Sequence, residues 1–121
     1  MSKRILHVED TADNRQLVSD LLESAGYDLI EALDGLSGVA MAFEHRPDLI
    51  LMDIQLPVMD GYEASRRIKA IPELRATPII AVTSYALSGD DAKAREAGCD
   101  GYIAKPFSPR ELLAKIAEFI G

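Results

Sequence analysis

Short apolar runs alternate with helix-like segments along the whole chain. Five runs have the length of β-strands, and they lie at residues 5–8, 29–33, 49–52, 79–82 and 102–104. The runs at 49–52 and 79–82 contain no polar alternation, which is typical of strands that are covered on both faces. The pattern therefore predicts a buried sheet rather than a half-solvated one.

Five amphipathic segments lie between and after these runs. Thr11 or Asp13 can cap the first helix, which Gly26 ends, and Pro47 closes the second helix. We expect three helices to face the core through apolar stripes, which are Leu17, Val18, Leu21, Leu22 and Ala25 in the first, Leu36, Val39, Ala40 and Phe43 in the second, and Leu112, Leu113, Ile116, Phe119 and Ile120 in the last.

The last two helices differ in how strongly the sequence specifies them. Residues 88–97 offer mainly alanines to a core, so we expect a loosely anchored helix there. Ser108 as N-cap, Pro109 at N1 and Glu111 at N3 predict a capping box for the final helix. Strict alternation of strands and helices predicts an α/β fold, with one doubly wound, five-stranded parallel sheet and helices on both faces.

Composition sets limits on the class of protein. A chain of 121 residues has room for one domain with a single core, so residues 1–121 are expected to form one unit. The net charge of −7 argues against nucleic acid as a partner, and no apolar run reaches the length of a membrane span. Cys99 is the single cysteine, which excludes an internal disulfide and fits a cytoplasmic location and an inert packing role.

Polar residues of unusual kinds stand where the apolar runs stop. Glu9 and Asp10 follow the first run, Asp53 the third, Thr83 the fourth and Lys105 the fifth. In an open parallel sheet, ligands bind in the crevice beyond the carboxyl ends of the strands. Four strands ending in an acid pair, an acid, a hydroxyl and a lysine predict a phosphoryl-transfer pocket.

The residue types suggest a role for each group in this pocket. Three neighbouring carboxylates cannot all ionise easily without a cation, and a water-accessible oxygen site beside phosphate suits Mg²⁺. Asp53 is the best nucleophile because it stands alone after a central strand, while Glu9 and Asp10 hold the metal. Lys105 supplies positive charge to the phosphoryl oxygens, and the Thr83 hydroxyl can donate to one of them if its strand end shifts.

Single residues also have simpler interpretations. Asp10 could cap the following helix, Asp53 could be a turn residue, and Lys105 could be a solvated surface charge. His7 and His45 are assigned structural roles, because neither is placed to act as a catalytic base. Residues 59–61 are interpreted as a turn in which glycine supplies backbone freedom.

With these residues in place, the chain resembles a response regulator receiver domain of bacterial two-component signalling. It is similar to stand-alone regulators of the DivK type and to the receiver modules of hybrid sensor kinases. The resemblance covers essentially the whole chain, and the stretches that carry it are residues 5–10, 48–61, 81–84 and 101–106.

The resemblance implies the flavodoxin-like strand order 2-1-3-4-5 and transfer of a phosphoryl group to Asp53 from a histidine kinase or a histidine phosphotransfer protein. It implies that Mg²⁺ is held by Asp10, Asp53 and the backbone carbonyl of Gln55, with Glu9 acting through water. It further implies that Thr83 and Tyr102 form a conformational switch.

The resemblance has three further implications. The Lys105–Pro106 bond is expected to be cis. The acid pair is Glu-Asp rather than two aspartates, which leaves the metal geometry at Glu9 open. Gln55 and Tyr85 occupy positions that shape access of water to the phosphoryl group, and the bulk of Tyr85 suggests slow self-dephosphorylation.

Two other classes of protein are alternatives to a signalling switch. A phosphohydrolase with an aspartyl nucleophile needs a second acid two residues after the nucleophile, where this chain has Gln55. A degenerate receiver used only for interaction is disfavoured by the intact Asp53, Thr83 and Lys105. Because the sequence ends at Gly121, output is expected through contact with a downstream protein, and catalysis is expected only of the domain's own phosphorylation and dephosphorylation.

Overall fold

The computed structural model describes residues 2–83 and 90–121, and in these ranges strands and helices alternate as the sequence predicts. The strands are β1 (Arg4–Val8), β2 (Asp28–Ala32), β3 (Leu49–Asp53), β4 (Ile79–Thr83) and β5 (Gly101–Ala104). The helices are α1 (Ala12–Ser24), α2 (Gly35–His45), α3 (Gly61–Ala70), α4 (Asp90–Glu96) and α5 (Pro109–Ile120), with a short 3-10 helix at Pro72–Leu74.

All neighbouring strands pair in parallel, and the sheet order is β2-β1-β3-β4-β5. One apolar cluster joins the sheet to α1 and α5, and a second joins the opposite face to α2, α3 and α4. The expected doubly wound fold and its strand order are both confirmed. None of the helices in the described ranges is long and apolar enough to cross a membrane.

The start of α5 shows how directly local sequence determines a helix end. The Ser108 hydroxyl accepts a hydrogen bond from the backbone N–H of Glu111 at 3.1 Å. The Glu111 carboxylate in turn accepts one from the backbone N–H of Ser108, also at 3.1 Å. The predicted capping box with Pro109 in the first turn is therefore confirmed. At α1, by contrast, Thr11 is the N-cap residue but its side chain makes no capping hydrogen bond.

The predicted buried face of α2 is wrong for Leu36, Ala40 and Phe43, whereas Val39 packs against the core as predicted. Leu36 and Phe43 are 53% and 50% exposed, and the buried residues of this helix are Gly35, Gly38 and Ala42. A Cβ atom at Gly38 would lie 3.0 Å from a methyl group of Val8, so small residues let this helix approach the sheet closely. The apolar periodicity predicted the position of the helix correctly. The face that packs on the sheet is determined by the small residues that permit close approach.

The predicted stripe of α1 is right for Val18 and Leu22, which are buried four residues apart. It is wrong for Leu17, which is 66% exposed. Consecutive helical residues point about 100° apart, so a helix that centres its buried face on Val18 turns Leu17 outward.

Gly61 lies at the start of α3 and packs against the end of β3. A Cβ atom at this position would overlap the backbone carbonyl of Asp53 and the Cα of Ile54. Its φ is not in the positive region, so the expected reason for glycine, backbone freedom, is corrected to close approach. Asp60 caps the same helix by accepting a hydrogen bond from the N–H of Glu63 at 2.9 Å.

The fourth helix is described from Asp90, so the first two residues of the predicted segment lie outside the described residues. Ala94 in this helix and Ala97 just after it are buried in the core, as expected for an alanine-rich segment. Cys99 follows in a buried position with its Sγ 3.4 Å from the Ser65 hydroxyl, and burial raises the pKa of its thiol. Loose anchoring of this helix stays a prediction.

Candidate functional site

The polar residues named from the sequence gather at the carboxyl edge of the sheet. Glu9 comes directly after β1, Asp53 and Thr83 are the last residues of β3 and β4, and Lys105 comes directly after β5. In the strand register Asp53 pairs with Val82, so Thr83 lies one residue beyond that pair. Parallel pairing thus brings residues that are up to 96 positions apart in sequence to one place.

Three carboxylates form the acidic part of the site. One oxygen each from Glu9, Asp10 and Asp53 lies within 4.8 Å of the others. Glu9 and Asp53 are buried, whereas Asp10 is exposed. Asp10 therefore gives the cluster a solvent-facing side, and the other two carboxylates lie beneath it.

Lys105 bridges the two buried carboxylates. Its Nζ donates to Oε1 of Glu9 at 3.0 Å and to Oδ2 of Asp53 at 3.4 Å. The lysine side chain is 22% exposed, so these ion pairs are partly shielded from water. The peptide bond between Lys105 and Pro106 is cis, as the resemblance implied.

The second oxygen of each buried carboxylate is held by the backbone. Oε2 of Glu9 accepts a hydrogen bond from the N–H of Thr11, and Oδ1 of Asp53 accepts one from the N–H of Gln55, both at 3.2 Å. Each carboxylate is therefore fixed between the lysine on one side and its own following loop on the other. This arrangement orients both groups without using a second basic side chain.

The shared lysine and the close carboxylates shift all three pKa values. Burial, followed by the neighbouring Glu9, raises the pKa of Asp53 to about 6. Burial alone would raise the pKa of Glu9, but hydrogen bonds with Lys105, Asp53 and the backbone of Thr11 bring it below its usual value. Burial alone would lower the pKa of Lys105, and the two carboxylates outweigh it and raise that pKa.

The donor set fits a hard divalent cation. The three carboxylates offer oxygen ligands only, and Lys105 compensates one of their charges. Burial, followed by the neighbouring Glu9, raises the pKa of Asp53, and a cation beside Asp10 and Asp53 would favour its ionised form. Oxygen ligands, with one carboxylate open to solvent, match the preference of Mg²⁺, which retains several waters.

Thr83 and Tyr102 lie on the other side of the sheet from the charged groups. Side chains alternate along a strand, and Thr83 shares the parity of Ala81, which belongs to the cluster beneath α2, α3 and α4. Tyr102 pairs with Ala81 and packs against the same cluster. By the same alternation Asp53 has the parity of Leu51, which faces α1 and α5. Tyr85 lies outside the described residues.

Sequence reasoning missed the groups that orient the site. The backbone N–H groups of Thr11 and Gln55 hold carboxylate oxygens, and Nη1 of Arg15 donates to the Glu9 carbonyl at 3.0 Å. Backbone donors carry no residue signature, so only their position just after a strand could have indicated them. Arg15 is a basic residue within the first turns of α1, which is a weak signal alone.

A doubly wound sheet with an acid pair, a central aspartate, a hydroxyl and a lysine at one edge defines a phosphoryl-accepting domain of the receiver class. The chain belongs to the response regulator receiver domain family, whose model matches residues 5–117. It is a signalling protein, and its family implies a phosphodonor kinase and downstream targets.

Named relatives agree with this assignment. The chain is 45% identical to the polar-differentiation response regulator DivK of Brucella anthropi over 121 residues, covering all of this chain and 98% of the relative. It is 42% identical to the receiver domain of sensor histidine kinase PA1611 from Pseudomonas aeruginosa PAO1, with a TM-score of 0.93 over 100% of this chain and 99% of that chain. That domain was crystallised with a magnesium ion coordinated in its active site cleft.

A structural neighbour with lower identity has the same fold. Chemotaxis protein CheY4 of Vibrio cholerae is 31% identical, with a TM-score of 0.93 over 98% of this chain and 99% of that chain. The expected family, fold and class of function are therefore confirmed, and this chain is a phosphoryl-accepting signalling switch.

The raised pKa of Asp53 predicts a pH-dependent stability in the absence of divalent cations. The folded-state pKa of about 6 exceeds the ordinary value of 3.8, so this carboxyl binds its proton more tightly in the folded state. The contribution of this carboxyl to the free energy of unfolding therefore decreases as pH rises from about 4 to about 6. Asp53→Asn should raise the free energy of unfolding at pH 7 by about 1 kcal/mol and have much less effect at pH 4.

Urea unfolding in the presence of a chelator, repeated between pH 4 and 8, measures this difference. Glu9→Gln is the matched contrast, because the pKa of Glu9 is lowered in the folded protein. Its ionised carboxylate therefore stabilises the fold at pH values above its pKa in the unfolded chain, and this stabilisation is lost as pH falls. Glu9→Gln should therefore destabilise the protein at pH 7. A wild type more stable than Asp53→Asn at pH 7 would contradict the charge assignment.

Proposed function

We propose that Asp53 is the phosphoacceptor of this switch. The observation that carries the proposal is the arrangement of its two carboxylate oxygens, one beside Lys105 and the other on the N–H of Gln55, at the end of a central strand. Both contacts hold the carboxylate in one orientation, which favours in-line attack on a phosphoryl group.

We further propose that Mg²⁺ is the cofactor, held by Asp10, Asp53 and the backbone carbonyl of Gln55, with Glu9 acting through water. The three carboxylate oxygens within 4.8 Å support this assignment. When bound, the ion would neutralise charge on the carboxylates and on phosphoryl oxygens. The neighbour from Pseudomonas aeruginosa, which has magnesium in its cleft, supports the same choice of metal.

The transfer itself makes one bond and breaks one bond. An oxygen of Asp53 attacks the phosphorus of a phosphohistidine, the P–N bond breaks, and the departing imidazole nitrogen takes up a proton from water. The product is an acyl phosphate on the aspartate. Lys105 is paired with Asp53 before transfer, and its charge is then available to a phosphoryl oxygen at the same position.

The donor in this scheme is a histidine kinase or a histidine phosphotransfer protein, and the target is a downstream protein that contacts the phosphorylated form. In this proposal residues 1–121 act as one receiver unit in the cytoplasm. The unit catalyses only its own phosphorylation and dephosphorylation. The same unit could serve as the receiver module of a hybrid sensor kinase. An aspartyl phosphohydrolase is less well supported, because Gln55 occupies the position of the required acid and its side chain cannot donate a proton readily.

The first test is phosphorylation by acetyl phosphate in the presence of Mg²⁺. Intact mass should show the gain of one phosphoryl group by the wild type and none by Asp53→Asn. Asp60→Asn is the matched control, because Asp60 caps α3 and is absent from the carboxylate cluster, and it should be labelled like the wild type. Stoichiometric labelling of Asp53→Asn would exclude Asp53 as the acceptor.

The second test separates the metal from the phosphoryl group. Asp10→Asn should weaken Mg²⁺ binding at least tenfold and slow phosphorylation, since it removes a charged oxygen ligand. Lys105→Ala should leave Mg²⁺ binding intact or tighter while impairing transfer, because it removes a cation from the site.

Calorimetric titration with Mg²⁺ and labelling rates together measure these effects, again with Asp60→Asn as the control. Equal Mg²⁺ affinity in the wild type and Asp10→Asn would show that the metal assignment is wrong. Normal labelling of Lys105→Ala would show that the role assigned to the lysine is wrong.

The third test locates the output surface. Phosphorylation adds about −1.5 to −2 charges and new acceptor oxygens at Asp53. We expect Thr83 to move toward one of these oxygens and Tyr102 to turn into the space behind it, since both lie on the side of the sheet that faces α4. A few kcal/mol of bias is enough to shift such an equilibrium.

Amide NMR with and without beryllium fluoride, a stable mimic of the phosphoryl group, measures the response. The largest shifts away from Asp53 should fall in α4, around Tyr102 and at the start of α5, and the outer face of α1 provides the internal reference. Shifts confined to the loops around Asp53, with residues 90–112 unmoved, would contradict this output surface.

A further inference from the structure

A cavity of about 460 Å³ opens between α1 and α5 beside the phosphoacceptor site. Its size falls within the range of about 300–1,000 Å³ that is usual for small-molecule sites. Most of its wall is apolar and comes from Leu17, Val18, Leu51, Val82, Phe107 and Leu112. Glu9 and Lys105 also belong to the lining, so the cavity adjoins the charged cluster.

Asn14 and His7 are the polar lining residues that the phosphoacceptor chemistry does not use, and His7 is the buried one of the two. It lies on β1 and is 3% exposed, and its Nδ1 has no hydrogen-bond partner among the described residues. Leaving a buried polar atom unpaired costs free energy, so native structures rarely do so without a reason. His7 belongs to the lining of the cavity, and a half-turn about its χ2 angle exchanges the positions of Nδ1 and Cδ2 in the ring.

Charge complementarity restricts what the cavity can hold. Lys105 is already paired with Glu9 and Asp53, so it offers no unmatched positive charge to a ligand. The acidic cluster next to it disfavours an anion. The wall around His7 is mostly apolar, and one nitrogen of its imidazole can share a hydrogen bond with a neutral partner.

We propose that this cavity is a binding site for a small neutral molecule with an apolar ring or chain and one hydroxyl group, which forms a hydrogen bond with His7. The apolar wall would bury the body of the molecule, and the unpaired imidazole nitrogen would select the hydroxyl. This cavity is distinct from the phosphoacceptor site proposed above, although both include Lys105. A molecule bound in the cavity would lie against that lysine. Occupancy would therefore influence phosphorylation through the wall that the two sites share.

Phenol and toluene are the probes, because they differ only in a hydroxyl against a methyl group. Each is titrated into the unphosphorylated protein without Mg²⁺, so the result does not depend on phosphoryl transfer. Phenol should bind about tenfold more tightly than toluene, since it alone satisfies the buried nitrogen. The ¹⁵N shifts of the imidazole should change at His7 and stay constant at His45, the other histidine of the chain.

Two variants and one control test the location. His7→Val should remove the preference for phenol while toluene still binds, because the apolar wall remains. Leu17→Trp should fill the rim of the cavity and weaken both probes at least tenfold. Leu36→Trp is the matched control, since Leu36 is an exposed leucine outside the cavity lining, and it should bind both probes like the wild type.

Three results would overturn the proposal. These are equal affinities for the two probes, affinities that Leu17→Trp leaves unchanged, and no saturable binding up to the solubility of both. Each would indicate that water or a side chain of a partner protein occupies the cavity instead of a small molecule. If His7→Val fails to fold, the Leu17→Trp and Leu36→Trp pair and the histidine shifts in the wild type still decide the question.

Discussion

The whole site depends on an excess of negative charge at one edge of the sheet. Glu9 and Asp53 are buried together, Asp10 lies within 4.8 Å of them, and Lys105 supplies one compensating charge. A hydrophobic sheet would normally exclude such a group of charges, because burial disfavours their ionised forms. Here the backbone N–H groups of the following loops hold two of the carboxylate oxygens. The arrangement stays poised to accept a cation and a phosphoryl group because its own charges are not fully neutralised.

The sequence predicted which polar residues come together at this edge, because the same local pattern is repeated at each strand. Each functional residue follows an apolar run, and parallel pairing then brings every carboxyl end to the same edge. The position of Lys105 relative to Glu9 is thus a consequence of topology, although the two are 96 residues apart. The backbone donors that orient the carboxylates could not be predicted in the same way, because every residue except proline carries an N–H group. The roles assigned to individual site residues are still predictions, since geometry shows proximity and not turnover.

The packing of helices was harder to predict than the convergence of the polar residues, and α2 shows the reason. Leu36 and Phe43 have the spacing of a buried stripe, yet they face solvent while Gly35, Gly38 and Ala42 face the sheet. Apolar periodicity measures which face could be buried, whereas the observed face is set by how closely the helix can approach Val8. The same steric argument explains Gly61, which allows α3 to start against the backbone of Asp53. Close approach of backbones depends on a partner surface that one segment of sequence does not contain.

Strand alternation divides the molecule into two functional sides. Asp53 shares parity with residues that face α1 and α5, as does His7 with Ile5, whereas Thr83 and Tyr102 share parity with residues that face α2, α3 and α4. A change in charge at Asp53 can reach the α4 side at the strand ends, where Thr83 lies one residue beyond the partner of Asp53. The cavity beside His7 lies on the opposite side and meets the site through Lys105. A ligand there and a partner on α4 would act on the same aspartate from two faces of one sheet, so neither would need to displace the other.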